Sequence, residues 1–468
     1  MLTRLRLKAF KSWADTGNVA LKPLTAFFGP HGAGKTNLLQ APLLLKQTAE
    51  SSNRGIVFDF GDGETPADLG DFRSVIHRHR EDSRLAIALD WNVPTPLRLA
   101  NPDDGGPPLA EDTQLGFTVV ARQSPPSGFR SDAAGRRAAV RRTILQEMGH
   151  RVGRTSFGMR RRNARGEYDL LVEGTEFQFV SRMGRSMWPL PAPNKCYGFP
   201  GHARLHYQNA GFLTGLESAF EERLQHLHHL GPWRAALRRR YQWAGEQPAD
   251  VGRAGESAVG ALLASRERGE TVGRGRTGRR LTLEEYVAQW LRDLDIAYHF
   301  RLASLPEDSQ MFEVRVATSA DSPEVLATDA GAGLAQVLPL LALCFRAPAG
   351  STVILEQPEL GLHPMARSVL ADVLVDACQK RGVQILLESH SQRLLRRLQR
   401  RLADKTVAED DVALFHCAAT DSHSALTPLE LDRFGNIRNA PEGFFGDEFG
   451  EIAALSLAGV QRRREPGE

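Results

Sequence analysis

The chain has 468 residues, 41% of them hydrophobic and 25% charged, with a formal net charge of +3. That balance belongs to a globular protein and excludes a disordered or fibrous one, and the length suits two to four units that each bury a core. No apolar run approaches the roughly 18 residues of a spanning helix, the longest clean stretch being Val337 to Leu343, so membrane insertion is excluded as well.

In chain order, Arg4, Arg6 and Lys8 alternate with Leu5 and Leu7, the period-two pattern of a strand and not the charged cap of a secretory signal. The apolar stretch Leu24 to Phe28 runs into a glycine-rich turn and then an apolar helix starting near Asn37, which reads as strand, loop, helix. From Leu85 to Val180 short alternating segments follow (Leu85 to Trp91, Leu115 to Val120, Tyr168 to Val172, Glu176 to Val180), split by turns such as Asn101 to Pro108. An antiparallel β insertion is expected there. Within it, the window from Arg122 to Arg165 holds twelve arginines against Asp132 and Glu147. Such a local excess is a candidate surface for a phosphate backbone, with Arg136, Arg137, Arg141, Arg142, Arg160, Arg161 and Arg162 as nucleic-acid candidates. The bland alternative is that arginine simply dominates the cations, since only eight are lysines.

Residues 212 to 300 read as helical, with Leu216, Phe220, Leu224 and Leu227 at helical spacing and a loop expected at Gly269 to Arg280. Strand and helix then alternate: Phe312 to Val316, a helix after Gly333, Val353 to Leu355, a helix with Met365, Val369 and Val373 on one face, and Val383 to Leu387. The fold class expected is α/β, a split P-loop domain whose halves, 1–82 and 306–420, enclose a β-rich insertion (83–210, with the basic segment) and a helical one (211–305), before an extension at 421–468. The cysteines, Cys196, Cys344, Cys378 and Cys417, are too scattered for a disulfide framework or a zinc knuckle, so a reducing, cytoplasmic setting is expected.

Gly29-Pro30-His31-Gly32-Ala33-Gly34-Lys35-Thr36 satisfies G-x-x-x-x-G-K-[ST]. In that loop backbone N–H groups wrap the phosphates, the lysine neutralises the β and γ charges, and the threonine hydroxyl ligates magnesium; ATP and Mg2+ are therefore the expected ligands, with Asn37 directly beyond the loop. Ser351 to Glu359 reads as an apolar strand ending in acids, with Glu356 the candidate for holding the metal together with Thr36. Gln357 is an amide that orients water but accepts no proton, which leaves Glu359 as candidate base, a helix cap or surface carboxylate being the plain alternative. His390 follows another buried strand at the edge where ligands collect in α/β sheets, and is a candidate sensor of the γ-phosphate. Asp329 to Gln336 presents glycines before an apolar helix, an anion-binding arrangement with no phosphate partner evident in its own subunit.

These motifs, in this order and with a long insertion after the first, resemble the ATP-binding cassette ATPases of the SMC, RecF and OLD class. Phe10-Lys11-Ser12-Trp13 before the phosphate loop looks like the SMC-type start, which would put Lys11 and Ser12 near the nucleotide. The resemblance makes Gly331, Gly333, Ala335 and Gln336 the signature loop, facing ATP held by the other subunit of a head-to-tail pair, so a homodimer or higher homo-oligomer is implied. Glu356-Gln357-Pro358-Glu359, Leu362-His363-Pro364 and Glu388-Ser389-His390-Ser391 are similar to standalone bacterial relatives of OLD ATPases. Further likeness lies in Leu69 to Phe72, Leu230-Gly231-Pro232-Trp233-Arg234, Gly435 to Ile437 and Pro441 to Asp447. Two departures stand out: Ala335 occupies a place where a serine is common, and too little chain follows His416 for the Toprim nuclease domain of OLD proteins.

The expectation is thus an ATPase without intrinsic nuclease activity that dimerises on ATP and acts on DNA or on a separate effector nuclease, in bacterial DNA maintenance or anti-phage defence, with no membrane partner. The alternative is an ATP-sensing scaffold in which Gln357 leaves hydrolysis negligible.

Overall fold

The computed structural model describes residues 1–102, 107–126, 129–131, 137–139, 141–182, 189–274, 279–305 and 308–441. Its centre is a six-stranded sheet in the order Leu227–Leu230, Thr352–Glu356, Gln384–Ser389, Leu24–Phe28, Val412–Ala419, Ser424–Pro428. The first five strands are parallel and the last closes an antiparallel hairpin. These strands are apolar almost throughout because both faces are covered. Their side chains alternate between two cores: Val353 and Leu355 pack with the helices Ala332–Arg346, Pro364–Asp376 and Gln392–Ala403, whereas Ile354 packs with Lys35–Glu50 and Leu213–Gln225. A phosphate-loop strand inside a parallel sheet, assembled from both ends of the chain, is the split α/β P-loop arrangement implied by the motif order.

A second, wholly antiparallel sheet runs Tyr168–Glu173, Thr155–Arg161, Thr143–Val152, Ala110–Gln123, Leu85–Leu99, Leu2–Phe10, Trp13–Asp15, with Val19–Ala20 also paired to Leu2–Phe10. The β-rich segment therefore pairs directly with the first strand, Leu7 opposite Ile87, and shares the core of the phosphate-loop helix. The strands Thr143–Val152 and Thr155–Arg161 lack a clean apolar alternation: in the first, polar His150 is an inward residue, buried and bonded through Nε2 to the Tyr197 carbonyl at 2.8 Å, and in the second, polar Thr155 is buried. Glu176 to Val180 forms no strand. Gly174 turns the chain at φ +79°, and Phe177 and Phe179 instead join a ring cluster with Phe212.

The helical stretch is also revised. Helix Leu213–Gln225 ends before Leu227, which opens the edge strand Leu227–Leu230; parallel pairing with Thr352–Glu356 overrides the helical spacing of its leucines. Phe312 to Val316 lies in a separate antiparallel sheet, Asp308–Ala317 against His299–Leu305, and not in the parallel one. Met365 is exposed, and the buried face of its helix is Ala366, Leu370, Val373 and Leu374. A hairpin, Thr271–Arg274 with Arg280–Thr282, flanks the expected Gly269 to Arg280 loop, whose residues 275–278 lie outside the described residues. So do residues 442–447 of the Pro441 to Asp447 motif. Among the described residues no helix is long and apolar enough to cross a membrane.

Candidate nucleotide site

Strand Leu24–Phe28 delivers the loop. A Cβ at Gly29 would lie 2.1 Å from the Cys417 carbonyl oxygen, so the loop crosses the neighbouring strand where only glycine fits, at φ +147°. Gly34, at φ +85°, caps helix Lys35–Glu50, and a Cβ there would strike Ser12 Oγ at 2.4 Å and Ser424 Oγ at 2.6 Å. Pro30, His31 and Gly32 are exposed at the tip, and Ala33 is buried beneath it. Lys35 is buried and its Nζ donates to the carbonyls of Gly29 (3.0 Å) and Pro30 (2.7 Å). Burial holds its pKa below the usual lysine range.

The segment at Lys11 braces this loop. Trp13 Nε1 donates to the Gly34 carbonyl at 3.0 Å, Asn37 Nδ2 donates to Ser12 Oγ at 2.8 Å, and Lys11 Nζ donates to Gln40 Oε1 at 2.8 Å. His31 stacks on His390 with ring centroids 4.0 Å apart. Burial, assisted by the charge of Lys35, pulls the His390 pKa down to about 4, so its imidazole is neutral at physiological pH.

The acids converge on the same edge. Parallel register sets Glu356 beside Glu388, and it is Glu388 Oε2, not Glu356, that accepts the Thr36 hydroxyl at 2.7 Å. Burial, opposed by that hydrogen bond and reinforced by the Glu356 charge, pushes the Glu388 carboxyl up to about 7. Glu356 Oε1 is bonded at 2.7 Å to Nε2 of buried His229, from the edge strand. Gln357 turns the chain out of its strand at φ +44°, its N–H donating to the Glu388 carbonyl at 3.2 Å. Glu359 is neither a surface group nor a helix cap. It is buried, its Oε1 accepts from Ser389 Oγ (2.8 Å) and the His390 N–H (2.7 Å), and His363 caps the following helix. Glu359 Oε2 is buried with no hydrogen-bond partner.

Sequence reasoning gave no role to Glu388, His229 or Arg234. The first is one residue of Glu388-Ser389-His390-Ser391, and the second lies in Leu227-His228-His229-Leu230, where two histidines interrupt an apolar run. That the run is buried at all four positions was the missing signal.

The glycine-rich segment before helix Ala332–Arg346 stands apart. Gly331 is its N-cap at φ +95° and is exposed, while Gly333, Ala335 and Gln336 are half-buried. Among the described residues no hydrogen bond or ion pair joins the segment to the phosphate loop. Its neighbours are Arg239, paired with Asp329 at 3.0 Å, and Gly361, whose Cβ would lie 3.4 Å from Gln336 Cγ.

The basic window is less one-sided than its composition. Arg160 pairs at 2.7 Å with Glu147 inside the window, and two acids beyond it also oppose it, Asp169 pairing with Arg162 at 3.7 Å and Glu81 with Arg141. Arg161 donates to the Ala164 carbonyl at 2.9 Å and the Arg142 N–H to Ser124 Oγ at 2.9 Å. Arg137 lies in the strand Arg137–Ala139, and Arg136 falls outside the described residues.

Against known proteins, residues 300–396 match a family described as "AAA domain, putative AbiEii toxin, Type IV TA system", and residues 407–455 match one described as "Protein of unknown function (DUF3696)". No curated protein matches the chain. Among solved structures, the SMC head domain from Thermotoga maritima is similar at 11% identity and a TM-score of 0.36, covering 92% of this chain and 99% of that one. The SMC head bound to the C-terminal winged-helix domain of ScpA aligns at 12% identity and 0.42, covering 92% and 98%. The Smc head with an extended coiled coil bound to the C-terminal domain of ScpA, from Pyrococcus furiosus, aligns at 11% and 0.38, covering 98% and 99%.

Proposed function

We propose that this chain is an ATP-binding and ATP-hydrolysing ABC-type ATPase that dimerises on ATP and acts on DNA or on a partner effector, in bacterial DNA maintenance or anti-phage defence. The observation that carries the reading is the convergence of a phosphate loop with Glu356, Glu359, Glu388 and His390 at the carboxyl edge of one parallel sheet, with Thr36 bonded to Glu388 at 2.7 Å. Ligands collect at that edge in open α/β sheets. The setting in defence rests on the motif resemblance and on the match over residues 300–396 to a family whose description names a type IV toxin–antitoxin system.

The donor set fits magnesium, which takes one or two carboxylates and fills its shell from substrate phosphates and water. Thr36, Glu356 and Glu388 would hold it, and its chemistry there is to neutralise phosphate charge. Lys35 would exchange its loop carbonyls for phosphate oxygens, and the N–H groups at the start of its helix would face the same anion. His390, neutral, would hydrogen-bond the terminal phosphate. Glu359 would take the proton of the attacking water as the bond between the terminal phosphorus and ADP breaks. The segment Gly331 to Gln336, exposed at a helix start, would serve ATP bound by a second copy.

Gln357 favours a second reading, the ATP-sensing scaffold, because the side chain directly after Glu356 accepts no proton. One experiment separates them: steady-state ATP hydrolysis by wild type, Lys35→Ala, Gln357→Glu and Glu359→Gln, with and without duplex DNA, alongside mass by light scattering. An ATPase turns over, loses about a hundredfold or more in Lys35→Ala and in Glu359→Gln, and doubles its mass on ATP. Mass that rises on ATP with no turnover, and hydrolysis gained in Gln357→Glu, would establish the scaffold. Charge reversal at Arg160, Arg161 and Arg162 weakens DNA binding and flattens its salt dependence if that strand is the contact; unchanged binding removes it.

A further inference from the structure

Beside the acid row, Arg234 presents Nε and Nη1 buried and without a hydrogen-bond partner, and Glu359 presents Oε2 in the same condition. Arg234 comes from the segment that follows edge strand Leu227–Leu230, the strand that also supplies His229 to Glu356. Two backbone bonds fix that segment: the Gly231 N–H donates to the Arg253 carbonyl and the Ala235 N–H to the Ala254 carbonyl, each at 2.8 Å. Between them the side chains alternate, Trp233 pointing out at 77% exposure and Arg234 turned inward. Burial pulls the guanidinium down to about 10, and the charges acting against that pull are those of Glu356 and Glu359. A buried guanidinium with open N–H groups awaits an anion. Glu356 Oε1 is engaged by His229 and Glu359 Oε1 by Ser389 and His390, which leaves Glu359 Oε2 as the complementary acceptor.

We propose that Arg234 is the positioning residue for Glu359, binding its Oε2 when the nucleotide site closes and fixing it as the carboxylate that receives the water proton. This rests on the reading of the site as an ATPase. In the step itself the water oxygen bonds to the terminal phosphorus, the bond to the bridging oxygen of ADP breaks, and the proton passes to Glu359, giving ADP and phosphate. Each carboxylate oxygen has two lone pairs, so Oε2 accepts from Arg234 and still faces the water. The planar fork of arginine matters here, and a lysine supplies the charge without the second N–H direction.

The test is kcat for ATP hydrolysis and affinity for Mg·ATP by calorimetry, on full-length wild type, Arg234→Gln, Arg234→Lys, Glu359→Gln and the Arg234→Gln/Glu359→Gln pair. We expect kcat to fall at least about tenfold in Arg234→Gln and less in Arg234→Lys, with ATP affinity held within about twofold and the pair no worse than Glu359→Gln alone. Wild-type kcat in Arg234→Gln, parallel loss of kcat and ATP affinity in both single variants, or multiplying losses in the pair would each overturn the assignment. Should Arg234→Gln fail to fold, Arg234→Lys and its pairing with Glu359→Gln carry the same comparison. A wild type that binds ATP but never turns over removes the ATPase reading and this proposal together, whereas an active wild type with unaffected Arg234 variants removes the proposal alone.

Discussion

Glu388 sits where a carboxylate costs most, 1% exposed beside Glu356 and with the Thr36 hydroxyl donating to it at 2.7 Å. Its pKa rises from 4.5 to about 7. Between those values the native chain keeps a proton that the unfolded chain has released, so stability falls as pH rises through that window. The loss is complete above about pH 7 and amounts to about 3 kcal/mol. Glu388→Gln keeps the shape and removes the charge. It should raise the melting temperature of the nucleotide-free protein at pH 8 and change it little at about pH 3, below both values, where Glu388 is protonated in both states. Thermal unfolding at the two pH values checks this, and equal melting points at pH 8 would contradict it. His390, with its pKa drawn down to about 4, changes charge only in acid, so it adds no titration step between pH 6 and 8.

At the scale of elements, the strand, loop and helix from Leu24 to Glu50 were legible because the local chemistry is over-determined: an apolar strand, glycines at left-handed positions and a helix start. The reason Gly29 is glycine was not legible, since it depends on strand Val412–Ala419, some 390 residues away in sequence. Gly29→Ala would drive a Cβ into the Cys417 carbonyl at 2.1 Å. It should cost about 2 kcal/mol in chemical denaturation and abolish ATP binding, with calorimetry as the readout. Where the local pattern was ambiguous it misled. Leu216, Phe220, Leu224 and Leu227 share helical spacing, yet the last belongs to a strand because Thr352–Glu356 offers it a parallel partner. Glu176 to Val180 alternates as a strand does, but its aromatic rings find better burial against Phe212 than along a sheet edge.

Across the whole molecule, one buried side chain stitches the two sheets. Gln384 Oε1 accepts from the Leu2 N–H at 2.8 Å and from Thr352 Oγ1 at 2.9 Å, while its Nε2 donates to the carbonyls of Leu2 (2.7 Å) and Lys22 (3.1 Å). Gln384→Leu would leave the Leu2 N–H and carbonyl buried without partners and should destabilise the chain by about 2–3 kcal/mol. Denaturant unfolding measures it, and a loss below about 0.5 kcal/mol would mean that other bonds carry the junction.

What the amino-acid order determined by itself was the α/β class, the phosphate loop and the strands that flank it, because glycine placement, apolar runs and the loop motif are local properties of a few consecutive residues. What only the tertiary structure decided was partnership. Glu388 rather than Glu356 meets Thr36, His229 reaches Glu356 from an edge strand, and the arginines of the basic window find acids outside it. Each of these follows from strand order and register, which join residues hundreds of positions apart and leave no periodic trace in the sequence.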